Sequence, residues 1–140
     1  MENGQILDSQ IRASSEYNSA HGAANGRLNF VAGGGKIGAW SAEIVDVNQW
    51  LQVDLLGKPK VTKIQTQGRE DCCNQFVKTY TVSYSDTTTS GFTDYTENSH
   101  VKVRSKFDKN LSKFNPCYIN ATRGIKSVTD HTVMKEEEPS

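Results

Sequence analysis

Two stretches of the chain alternate apolar and polar residues with the period of a β-strand. In NQWLQVDL, from Asn48 to Leu55, Leu51, Val53 and Leu55 point one way while Gln52 and Asp54 point the other. Further on, Tyr80, Val82 and Tyr84 alternate with Thr79, Thr81 and Ser83. The pattern predicts strands at residues 9–15, 49–56, 61–67, 76–85 and 101–103. Turn residues separate them, first Leu56-Gly57-Lys58-Pro59, then the run from Ser85 to Gly91. No window carries a long amphipathic helix, and no internal repeat is present. The fold class is all-β, with Leu51, Val53, Leu55, Ile64, Val82, Trp40 and Trp50 as the expected interior. A carboxylate such as Asp54 within a strand needs a fixed hydrogen bond or ion pair if it is buried.

Composition narrows the function. A chain of 140 residues is one domain by the usual prior, and roughly two-thirds of its unfolded surface can be buried at that size. Sixteen Lys and Arg balance sixteen Asp and Glu, which argues against nucleic acid as a partner, since phosphate binding needs a basic face. No stretch approaches the roughly 18 apolar residues of a membrane span. The first residues, MENGQILDSQ, have neither the basic nor the apolar region of a signal peptide. Past Asp108 the alternation dissolves, and the chain ends in KEEEPS, which reads as a solvated tail.

Few residues suggest chemistry. Gly33, Gly35 and Gly38 fit G-x-G-x-x-G, but dinucleotide binding needs that motif between a strand and a helix, and neither flank qualifies. The glycines read as a flexible loop, and no cofactor is expected. Cys72 and Cys73 are adjacent and Cys117 is distant, too few ligands for a metal site. Adjacent cysteines bridge each other only through a strained peptide, because disulfides place Cα atoms about 5.5 Å apart. An odd count leaves a thiol over. One of the pair reaches Cys117 or all three are free, and free thiols are the favoured expectation. His21, His100 and His131 are scattered, with no nucleophile motif beside them. No enzyme is predicted. Asn110-Leu111-Ser112 and Asn120-Ala121-Thr122 are glycosylation sequons, of which about one arises by chance in such a chain. They give weak support for secretion.

The strand NQWLQVDL has company. ILDSQIRASSEY (Ile6 to Tyr17), GRLNF (Gly26 to Phe30) and GAWSA (Gly38 to Ala42) precede it. VTKIQTQGR (Val61 to Arg69) and FVKTYTVSYSD (Phe76 to Asp86) follow. In this order the segments resemble a discoidin domain, also called the coagulation-factor type C domain, over residues 3 to about 109. The resemblance implies an antiparallel jelly-roll β-sandwich of the galactose-binding-like kind, a binding module rather than an enzyme, in an extracellular setting. Residues 3–109 would form the discoidin-like domain and 110–140 a divergent C-terminal segment with an acidic tail. After Asp108 the family's final segments, a tryptophan and a closing strand ending in cysteine, have no clear counterpart. The last strands are therefore expected to be missing or altered, and the chain reads as an excised domain or fragment.

The resemblance also implies where ligand binds. In the family, loops at one pole of the sandwich form ligand-binding spikes. By position these are residues 17–26 (YNSAHGAANG), 29–38 (NFVAGGGKIG) and 69–75 (REDCCNQ). The first carries small and polar residues, the second Phe30 and Val31, the third Glu70 and Asp71. Lys36 and Arg69 are the only cations in the three. Insertion into an anionic membrane needs exposed apolar wedges, each worth roughly 1.5–3 kcal/mol, with basic clustering as a second signal. Membrane lipid is therefore the disfavoured partner. Sugar recognition needs polar groups to clasp hydroxyls and an aromatic platform. His21, Asn25, Lys36, Arg69, Glu70 and Asp71, with Phe30 as platform, are the candidate ligand-binding residues. The expected partner is a cell-surface or matrix glycan or glycoprotein. Arg69 could instead pair structurally with Glu70, Asp71 or Asp54.

Overall fold

A computed structural model of the chain describes residues 3–56, 61, 64–69, 71, 72, 75–77, 79–87, 89–101, 103–105 and 118–122. Three short 3-10 turns precede the second strand, and strands alone follow among the described residues. Turn η1 (Asp8–Gln10) leads into β1 (Ile11–Ala13), and η2 (Ser19–His21) and η3 (Ala23–Gly26) follow. The two strongest alternating patterns become β2 (Trp50–Asp54) and β3 (Thr79–Ser85). Then come β4 (Thr93–Asp94), β5 (Thr96–Glu97), β6 (His100–Val101), β7 (Val103–Ser105) and β8 (Tyr118–Thr122). The main sheet runs β1-β2-β8-β3-β4, with β7 also on β3, while β5 and β6 form a separate pair. Every pairing is antiparallel among the described strands.

The register explains the core. Leu51 and Val82 flank Ala121, and Val53 and Tyr84 flank Ile119. This row shares one face of the sheet with Ile11 and Ala13 of β1. Leu51, Val53 and Val82 are fully enclosed, and Ile6, Ala23, Trp40, Val61, Ile64, Tyr80 and Tyr95 complete the cluster. Leu55 is half-buried against it. Gln52 and Ser83 lie on the opposite face yet are also buried. Asp54 finds the fixed partner expected of it, accepting from the Leu56 backbone amide at 2.8 Å. Its own carbonyl accepts from Gln10 Nε2 at 2.7 Å, while Gln10 Oε1 accepts the Leu7 amide.

Three expectations change. Trp50 is half-buried rather than interior, since its position at the start of β2 puts it on the face opposite Leu51. The described residues of 61–67 carry no strand, although Val61 and Ile64 still pack into the core. Most consequentially, a strand does follow Asp108. β8 supplies the centre of the sheet, five residues paired to β2 and five to β3. Its alternation is hidden because YINAT offers one large aliphatic residue, too few for a period of two to show. Asn120 therefore falls between Gln52 and Ser83 within the ladder. That sequon thus lies in an inner strand rather than in a loop. Asn110, His131 and the acidic tail lie outside the described residues.

Leu51→Ala should lower stability by about 2–5 kcal/mol, the usual cost of an enclosed aliphatic truncation. Trp50→Ala should cost less than Leu51→Ala. Urea denaturation of both variants orders them, and the reverse order would put the Trp50 ring in the core.

Candidate functional site

The strand directions gather the three loops at one end of the sheet. β2 and β3 both run antiparallel to β8, and both Trp50 and Thr81 pair with Thr122, so their N-terminal ends point to the same pole. β1 ends there as well, where the Ser14 amide donates to the Trp50 carbonyl at 3.0 Å. The loops that leave β1, enter β2 and enter β3 therefore meet.

Main-chain atoms join the first loop to the second. The Ile37 amide donates to the Ala20 carbonyl at 3.0 Å, the Ser41 amide to His21 at 3.2 Å and the Tyr17 amide to Ser41 at 2.8 Å. Asn25, only 1% exposed, donates its Nδ2 to the carbonyls of Ala20 at 2.8 Å and Ile37 at 3.2 Å. This corrects its place among the ligand contacts. A buried carboxamide between main-chain carbonyls positions the loops and does not face solvent. The glycine run is the tip of the second loop. Gly33 and Lys36 exchange backbone hydrogen bonds at 2.9 and 3.0 Å around Gly34 and Gly35 at φ 59° and 80°. That is the two-residue turn that needs positive φ at both central positions.

The third loop closes on itself and then reaches the other two. The Arg69 amide donates to the Gln75 carbonyl at 2.9 Å. Arg69 grips Asp71 with two parallel bonds, Nε to Oδ1 at 2.6 Å and Nη2 to Oδ2 at 2.9 Å, and Nη1 donates to Gln75 Oε1 at 3.3 Å. The structural pairing open to Arg69 is thus the one with Asp71. Asp71 in turn lies against Gly38, where an added Cβ would sit 2.8 Å from Oδ1. The hydrogen bonds from Arg69 hold the Asp71 carboxyl down at about 2, against the cost of its partial burial. The same pairing raises the already high Arg69 value.

His21 joins this pair from the first loop. Burial lowers its value below 6.5, the Arg69 charge lowers it further, and Asp71 pulls the other way. At neutral pH the ring is therefore a neutral donor and acceptor. Its Nδ1 meets Asn18 Oδ1 at 2.6 Å, and that same oxygen caps η2 by accepting from the Ala20 amide at 3.0 Å. Tyr17 stacks edge-on against it, ring centroids 5.1 Å apart and 73° between planes.

Of the candidates, the structure brings His21, Arg69 and Asp71 together. Lys36 is exposed at the second loop's tip and Phe30 is half-buried; Glu70 lies outside the described residues. Two residues were missed. Tyr17, 62% exposed, is the aromatic at this pole, so the first loop is not merely small and polar. Gly38 is the close-approach point for Asp71. The lone aromatic in YNSAHGAANG was the available signal for Tyr17, whereas the glycine pattern that includes Gly38 gives no hint of its contact with Asp71. The pole is also more apolar than expected. Val31 is 78% exposed, and Ile44, Val45 and Val47 stand out on the loop entering β2. Cys72 is disulfide-bonded, which corrects the favoured expectation of free thiols. Among the described residues no group of His, Cys, Asp and Glu is placed to hold a metal ion.

The model of the F5/8 type C domain matches residues 10–126. The chain belongs to that family. It is 40% identical over 120 residues to lactadherin of Rattus norvegicus, a match covering 82% of this chain and 28% of lactadherin. The chain thus spans under a third of that relative. Discoidin II of Dictyostelium discoideum superposes with a TM-score of 0.75 at 20% identity, over 94% of this chain and 54% of that one. The family 32 carbohydrate-binding module of C. perfringens NanJ, solved with galactose, gives 0.51 at 21% identity, over 92% and 91%. These neighbours establish an antiparallel jelly-roll β-sandwich of the discoidin, galactose-binding-like kind. The family is a non-catalytic binding fold. Among the described residues no helix is long and apolar enough to cross a membrane.

Two measurements check the site. Carbon-detected titration should find the Asp71 carboxyl near 2. The sign follows directly: a depressed carboxyl stabilises the fold above its ordinary value of 3.8 and loses that contribution as pH falls through about 2. Gly38→Ala should push the Asp71 side chain off Arg69 and raise that value, with little change in melting temperature because the obstructing atom ends a movable side chain. An unmoved Asp71 titration in Gly38→Ala would show that the contact does not hold the pair.

Proposed function

We propose that the domain is an extracellular recognition module that binds a galactose-type glycan, free or on a glycoprotein, at the pole formed by residues 17–26, 29–38 and 69–75. The observation that carries this reading is the convergence of a neutral imidazole, a bidentate Arg–Asp pair and an exposed tyrosine from separate loops. Sugars are bound by donors and acceptors that clasp hydroxyls, with an aromatic ring for the apolar C–H face. His21 supplies both donor and acceptor, Asp71 has lone pairs beyond those its arginine uses, and Tyr17 replaces Phe30 as the platform. Because Arg69 neutralises Asp71, the site suits an uncharged polyol.

A second reading is an anionic phospholipid surface, favoured by Val31 at 78% exposure close in sequence to the exposed Lys36. Ile44, Val45 and Val47 are also exposed at this pole and each such side chain inserted is worth about 1.5 kcal/mol or more, but stable attachment needs a second signal such as basic clustering. The pairing of Asp71 weakens the repulsion that acidic residues would offer such a surface, so the case against lipid rests on the shortage of cations.

The paired substitution His21→Ala with Tyr17→Ala should weaken retention on galactosyl-agarose by about tenfold or more, from one hydrogen-bonding and one stacking partner lost. Its melting temperature should stay within about 2 °C. Blank glycan arrays combined with salt-resistant binding to phosphatidylserine vesicles would reject the glycan reading in favour of lipid.

A further inference from the structure

Asn18 sets more than the turn it caps. One side-chain oxygen accepts from the Ala20 amide at 3.0 Å and meets His21 Nδ1 at 2.6 Å. A backbone amide can only donate, so the atom facing Ala20 is the carboxamide oxygen and not its nitrogen. That oxygen can only accept, and the proton of the second contact must therefore sit on Nδ1. A neutral imidazole carries a single ring proton. Burial, and then the Arg69 charge, hold the His21 value below 6.5, which leaves the ring neutral at ordinary pH. Nε2 then keeps a bare lone pair. It has no partner among the described residues, on a half-buried ring that Tyr17 meets edge-on.

We infer that Asn18 is a positioning residue of the ligand site: it locks His21 in the Nδ1–H tautomer, so that Nε2 meets the ligand as an acceptor and selects a hydroxyl that donates. In a neutral imidazole one nitrogen donates and the other accepts, and the hydrogen bond made by the first decides which is which. The opposite tautomer would put a second donor near Arg69, whose guanidinium can only donate. The lock instead gives the pole an uncharged acceptor that the guanidinium cannot supply. A ligand hydroxyl both donates and accepts, and so suits a donor and an acceptor together. An ether or ester oxygen has no proton to give Nε2. The class selected is therefore a polyol with a free hydroxyl at that point, not one blocked by alkylation or acylation there.

The tautomer stands without any ligand, and only its effect on retention rests on the glycan reading. Nitrogen-15 shifts of the His21 ring at about pH 8, where imidazoles are neutral, separate the protonated nitrogen from the bare one. The wild type should show Nδ1 protonated and Nε2 bare. Asn18→Asp keeps an acceptor-only side chain and should keep that pattern. Asn18→Ser keeps the cap of the turn, since serine caps about as well as asparagine. Its hydroxyl donates as readily as it accepts, however, and no longer dictates where the ring proton sits. In Asn18→Ser the ring should shift toward the Nε2–H form, with a melting temperature within about 2 °C of the wild type. Its retention on galactosyl-agarose at the same pH should fall about fivefold, as for one hydrogen bond lost, while Asn18→Asp restores it. A wild-type ring protonated at Nε2 would overturn the inference, as would an Asn18→Ser ring with the wild-type pattern. A shifted tautomer with unchanged retention would overturn the part given to Nε2. If the wild type itself is not retained on galactose, the glycan reading falls while the ring shifts still decide the lock.

Discussion

The main sheet depends on a wedge. β2 and β3 never pair with each other; each pairs with β8, whose five residues donate and accept on both sides. The fully enclosed Leu51 and Val82 face one another across Ala121. Since β8 also sets the relative slide of β2 and β3, it sets where the loops entering those strands begin. The convergence of His21, Arg69 and Asp71 is thus fixed from below by the register of this strand.

Above the sheet, order is imposed mainly by main-chain atoms. Asn25 spends its amide on two carbonyls in different loops, and Asn18 uses one oxygen for both the η2 amide and the His21 ring. The buried Asn25 in particular specifies one loop arrangement, because any alternative leaves an enclosed amide unsatisfied at a cost of about 1–3 kcal/mol. The exposed side chains are then free to vary in chemistry without disturbing the frame. This separation lets one sandwich serve many ligands.

The alternating strands were legible because burial of one row imposes period 2, and Leu51, Val53 and Val82 obey it. The neighbouring segments made the family recognisable as well. β8 was not legible, since its pattern depends on strands far away in sequence rather than on its own residues. The same holds at the pole. His21, Arg69 and Asp71 were nameable from residue type and loop position, but their meeting depends on strand direction. Asn25 looked like a ligand contact because a polar residue in a loop usually faces water. Only its neighbours reveal that it is enclosed. Tyr17 was passed over because its loop, YNSAHGAANG, reads as small and polar around a single ring.

The place of β8 in chain order has a consequence for biosynthesis. As the polypeptide leaves the ribosome, β1–β2 and β3–β4 can each form with only nearby partners, yet each then presents a bare edge with unmet amides and carbonyls. Neither can be joined to the other until Tyr118–Thr122 emerges. Synthesis thus passes through a window in which two half-sheets wait for one late strand, and a second nascent chain of the same sequence is the competitor best matched to those edges. Polysome spacing and chaperone cover during that window would then govern how much of the protein reaches its folded form, more than the final packing of Leu51 and Val82 does.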